Sequence, residues 1–126
     1  MAISSRTLSD TKGFAKVLVE FQNDSATTTV IDASGLNAHQ NNGQLKIRGI
    51  KFAVTGRATL KFIKNGATSE TAITLAGSER YDSGTIVNSA GAANHATDGD
   101  ISITTVAASG YCVIEVVKDN FNYIII

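Results

Sequence analysis

His39 and His95 are the two imidazoles of this 126-residue chain, and each falls in a polar stretch rich in Ser, Gly, Ala and Asn. Brought to one end of a fold and closed by Asp98 or Asp100, they would form a two-histidine metal site with nitrogens about 2 Å from the ion. The plainer reading is two solvated loop histidines. Asp98-Gly99-Asp100 resembles the start of a calcium loop. Such a loop needs several more oxygen ligands, ending in a glutamate about twelve positions from its start, and nothing after Asp100 supplies them. Asp-Gly ahead of a strand is a turn signal first. Glu79 and Asp82, with Tyr81 between them, have the residue types of a glycosidase pair. Those carboxylates must flank a glycosidic bond, and neighbours on one strand do not. Glu79 and Arg80 therefore read as a solvated strand face.

Cys112 is the single cysteine, so no intrachain disulfide forms. It sits in the apolar run Tyr111-Cys112-Val113-Ile114, where a thiol serves as a small buried hydrophobe. A nucleophilic thiolate would need a nearby cation or helix N-terminus. No GxSxG, P-loop, GxGxxG, CxxC or HExxH occurs. The inventory predicts no catalytic residues, no metal and no cofactor, and hence no enzyme.

Charge narrows the partners. Lys+Arg and Asp+Glu both number 11, for a net charge of zero. Nucleic-acid binders draw most of their affinity from a basic excess, so no nucleic-acid partner is expected. The longest apolar runs fall well short of the ~18 residues of a membrane helix. The N-terminal residues Met1-Ala2-Ile3-Ser4-Ser5-Arg6 lack the apolar core of a signal peptide. The expectation is a protein made in the cytoplasm that meets no membrane.

The elements that position these residues are strands. Ile and Val outnumber Leu, Thr is plentiful and Pro is absent, a composition that suits pleated surfaces and crowds helices. Ala15, Val17, Val19 and Phe21 alternate with Lys16 and Glu20, as on a half-buried strand. A run at 27–32 follows the polar turn Asn23-Asp24-Ser25, and 33–43 reads as a long loop. In 44–54 the apolar parity changes between Ile47 and Ile50, so Arg48-Gly49 marks a β-bulge or a bend between sheets. Thr55-Gly56-Arg57 reads as a turn into 58–64, and Asn65-Gly66 as a tight turn into 70–75. Short strands follow at 78–82 and 85–87, then a second loop at 88–98. Segments 100–106 and 111–118 read as a final hairpin around Ser109-Gly110.

Roughly eight to ten short strands with regular turn signals predict an all-β fold, an antiparallel two-sheet sandwich of jelly-roll type. A small closed barrel is the alternative. The length suits one domain, set at 14–126 behind an N-terminal arm at 1–13. That arm either docks as an edge strand or is held by a neighbouring subunit. At the other end Tyr123-Ile124-Ile125-Ile126 is apolar on both faces, which suits a covered central strand or an intersubunit contact. Ile3, Leu8, Tyr123, Ile124, Ile125 and Ile126 are the candidate contact residues.

Lys46-Ile47-Arg48-Gly49-Ile50-Lys51-Phe52-Ala53-Val54, the hairpin through Lys64-Asn65-Gly66 and the hydrophobic tail resemble small virion structural proteins of tailed phages, those of marine and cyanobacterial hosts above all. The likeness covers length, composition and β pattern over most of the chain, without a signature motif. It implies a capsid decoration, or cement, protein located in the virion and bound to the major capsid protein or other virion proteins, often as a homotrimer. No functional residues carry over. A tail, neck or fibre component is an alternative in the same class, and a carbohydrate-binding module is one outside it.

Overall fold

A computed structural model describes residues 3–11, 13–32, 35–36, 44–64, 68–87 and 100–119. The described residues form one antiparallel sheet of six strands with no α-helix. The strands are β1 (Ser4–Asp10), β2 (Phe14–Asp24), β3 (Thr27–Ile31), β4 (Gln44–Lys64), β5 (Thr68–Tyr81) and β6 (Ile101–Asp119). Their order is β1-β2-β6-β4-β5, with β3 pairing β6 on the same side as β2. The spine is β4 against β6, paired from Gln44↔Asp119 to Phe62↔Ile101.

Register shifts in three of the ladders fall side by side along one line. There β2 slips its register against β6 between Phe21 and Asp24, β4 slips against β6 between Thr55 and Arg57, and β4 slips against β5 between Val54 and Ala58. Five residues on that line have positive φ: Asn23 (50°), Ala107 (46°), Gly56 (80°), Gly77 (83°) and Gly110 (126°). Bulges of this kind bend and twist a strand, and placing them side by side bends adjacent strands together. We call this line the seam. Glycine is required where the backbones crowd. A Cβ on Gly56 would lie 2.3 Å from the Ala107 carbonyl oxygen, and one on Gly110 would lie 2.0 Å from that of Ala53.

Interrupted ladders leave backbone groups without their usual partners, and hydroxyls fill in. The Asn23 N–H donates to Ser109 Oγ at 2.7 Å, the Ala107 N–H to Ser25 Oγ at 2.8 Å, and the Ala26 N–H to Thr105 Oγ1 at 3.0 Å. Thr55 Oγ1 donates to the Ser109 carbonyl. Serine and threonine thus recur at the seam because they complete its hydrogen bonding.

The core lies on one face of the sheet. Val17, Val19, Ile50, Leu60, Ile101, Ile103, Cys112 and Ile114 are all buried, and Ile3, Ala72, Ile73, Tyr81 and Ile86 pack against them partly buried. At the end of β6 the inward series closes with a lysine. The side chain of Lys118 is fully buried, with its ammonium 2.5 Å from Asp10 Oδ1 and also donating to the Thr11 carbonyl. Its backbone N–H donates to the Gly13 carbonyl at 3.0 Å. This contact ties the β1–β2 connection to the sheet centre. Losing one partner of a buried pair costs about 3–5 kcal/mol.

Several sequence expectations change. Segments 100–106 and 111–118 are one strand, β6, and not a hairpin, because each half pairs with β4 along its whole length. Thr55-Gly56-Arg57 likewise lies within β4, and 70–75 and 78–81 are both parts of β5, with Asp82 just beyond its end. Asn23-Asp24-Ser25 bends the chain from β2 into β3, both running along β6, without reversing it. Glycine and asparagine supply the positive φ of a bend as readily as that of a reversal. The parity switch at Arg48-Gly49 is a bulge, with the β4–β6 register shifting between Ile47 and Gly49. Residues 4–10 of the segment read as an arm form β1 on β2, and Ile86 bridges Ile47. Asn65 and Gly66 fall outside the described residues.

Replacing Gly56 or Gly110 by alanine adds a backbone clash to conformational strain, and each should cost about 3 kcal/mol. At Gly77 an added Cβ would meet nothing within 4 Å, so Gly77→Ala should cost about 1 kcal/mol from strain alone. Urea unfolding midpoints of the three variants check this ranking.

Candidate docking surface

The bulge that re-phases β4 also builds the most structured feature of the outer face. Inserting one residue lets both Ile47 and Ile50 point into the core, and it leaves Arg48 exposed on the outside. Arg48 Nε donates to Glu115 Oε1 at 3.1 Å, and a second guanidinium nitrogen lies 3.1 Å from Oε2, a two-point clasp. The same guanidinium lies 5.0 Å from the ring centroid of Phe14, within cation–π range. Lys16 stands 3.9 Å from Glu115 Oε2. Hydrogen bonding from Arg48 is the main cause that holds the Glu115 carboxyl below the usual range, against a smaller opposing effect of burial.

Beside this clasp, Gly49 has no side chain, and a groove of about 490 Å³ opens across β2, β6, β4 and the end of β5. Among the described residues, Lys16, Arg48, Lys51 and Arg80 line it against two carboxylates, Asp82 and Glu115. Val113 supplies apolar wall. Beyond the seam, threonine hydroxyls pair across the outer face. Thr27 and Thr104 hydroxyls bond each other at 3.0 Å, and Thr59 and Thr74 at 3.1 Å. A second hollow of about 430 Å³ at the seam is lined by small residues with no titratable group.

The residues singled out in the sequence are dispersed. His39, His95 and Asp98 lie outside the described residues, as do Tyr123, Ile124, Ile125 and Ile126. Asp100 is buried at the start of β6, where its carbonyl accepts the Ile63 N–H at 2.9 Å. Among the described residues no three His, Cys, Asp or Glu side chains are placed to hold a metal ion. Glu79 stands opposite Phe52 on an exposed strand end, while Asp82 lines the groove, so the two carboxylates do not face each other across a cleft. Ile3 is half-buried against the core, and Leu8, the residue passed over by the β1–β2 register shift, is 46% exposed. Phe14 is 40% exposed. Sequence reasoning did not assemble the groove, although the Arg48-Gly49 phase change marks where it forms. No described helix is long and apolar enough to cross a membrane.

No family model and no curated protein matches the chain. Among solved structures, a cupin superfamily protein from Desulfitobacterium hafniense DCB-2 aligns with a TM-score of 0.43 at 9% identity, over 92% of this chain and 76% of that one.

Cys112 lies between Val19 and Phe52 in the sheet, and burial pushes its thiol up to about 12 from the ordinary 9.0. The folded protein should therefore resist iodoacetamide at neutral pH and react only as denaturant opens it. Because the unfolded chain releases this proton first, Cys112 should lower stability as pH rises from 9.0 towards 12. Cys112→Ala should flatten that part of the unfolding profile.

Proposed function

We propose that this chain is a non-catalytic structural subunit of a tailed-phage virion, a capsid decoration protein that binds the major capsid protein. The reading that supports it best joins the sequence likeness to one structural observation. Two sheet edges, β1 and β5, have no further strand beside them among the described residues. An open edge offers a row of backbone donors and acceptors to another chain. Leu8 stands exposed on the β1 edge, and Phe14 and the charged groove lie on the adjoining face. Aromatic and arginine side chains on such a face are the residue types that anchor protein interfaces.

In this reading the seam folds the sheet into a jelly-roll-like sandwich whose halves face each other across the core. Ile3, Leu8, Tyr123, Ile124, Ile125 and Ile126 serve as subunit contacts, in a homotrimer. Its action is mechanical: many modest contacts multiplied by the symmetry of a particle.

Particles of the phage whose genome encodes the chain provide the test. An antibody against the chain should label heads, and quantitative mass spectrometry should find a fixed ratio to the coat subunit. Labelling confined to tails would transfer the role to a tail component. Absence from purified particles would contradict a virion role.

A further inference from the structure

The outer groove contains an electrostatic arrangement that the folded chain does not resolve by itself. Lys51 and Arg80 are directly opposite each other in the β4–β5 ladder, so their side chains share the outer face. Both line the groove. Like charges in that position repel and destabilise a sheet. Nearby Glu115, whose charge Arg80 also favours weakly, is already clasped by Arg48 and approached by Lys16. No ion pair among the described residues involves Lys51 or Arg80.

We propose that this groove binds an acidic, extended segment of a partner protein, with a carboxylate side chain seated between Lys51 and Arg80. Charge complementarity selects the occupant. The cations exceed the carboxylates, which favours an anion. Asp82 and Glu115 also line the groove, and their charge disfavours a densely charged phosphate chain more than an isolated carboxylate. Val113 offers apolar wall for a residue flanking the acid, which a peptide supplies and a free anion does not. The groove reaches the last residues of β5, whose outer edge has no strand beside it among the described residues, so an extended segment can enter from that side. The inference rests on the structural-subunit reading only in making the ligand a protein.

The test uses the full ¹⁵N-labelled chain and a short blocked peptide of alternating Glu and Val. Binding should perturb the amides of Arg48, Lys51, Arg80 and Val113, weaken with added salt, and lose at least tenfold in affinity in K51E/R80E. Lys61→Glu, on β4 beyond the seam, should leave affinity unchanged. Arg80→Glu alone should raise the melting temperature of the free chain by turning a repulsive cross-strand pair into an attractive one. No perturbation of the groove amides, or equal perturbation by inorganic phosphate, would overturn the peptide site. A lower melting temperature for Arg80→Glu would overturn the repulsion on which it stands. Head labelling of particles together with a silent groove would remove this inference and leave the virion role intact.

Discussion

Everything in this fold depends on keeping long strands paired while they bend. A strand of 19 or 21 residues cannot stay straight and still wrap a small core, yet breaking it into separate strands would leave ladder hydrogen bonds unmade. The seam solves this at one level of the sheet. Positive φ at Asn23, Ala107, Gly56, Gly77 and Gly110 supplies the curvature. The Ser25, Ser109 and Thr105 hydroxyls replace the backbone partners lost there. Ala107 is the costly member, since a residue with a Cβ is strained in that conformation. The close approach of Gly56 to its carbonyl fixes the two backbones relative to each other.

The same logic operates on a smaller scale at Arg48-Gly49. One inserted residue keeps Ile47 and Ile50 both in the core, presents Arg48 to Glu115 and leaves Gly49 as a gap. Core packing and surface chemistry are thus set by a single irregularity. A few residues further along β6, Lys118 shows how firmly the sheet holds its edge. A lysine takes an inward position there, and Asp10 and the Thr11 carbonyl make its burial tolerable.

Much of this was legible in the residues. The all-β character followed from β-branched composition and alternation, and the bulge at Arg48-Gly49 from the change of parity. Chain direction at the seam was misjudged. Thr55-Gly56-Arg57 and Ser109-Gly110 carry turn chemistry, and local chemistry does not distinguish a bend from a reversal when the strand partner is distant in sequence. A clue was present in β4, where the apolar parity runs unbroken through Ile50, Phe52, Val54, Ala58, Leu60 and Phe62. In β6 it shifts from Ile101 and Ile103 to Cys112 and Ile114, the mark of an inserted residue. The groove was not legible, because Lys16, Lys51, Arg80 and Glu115 come from four strands whose order only the sheet reveals.

Native-state hydrogen exchange tests the continuity of these bent strands most directly. If β4 and β6 run through the seam as single strands, the amides of Ala58 and Thr105 on one side and of Ile50 and Cys112 on the other should exchange slowly and through one shared opening. Independent openings for the two sides of the seam, with fast exchange at Thr105, would mean separate strands joined by turns and would contradict the account.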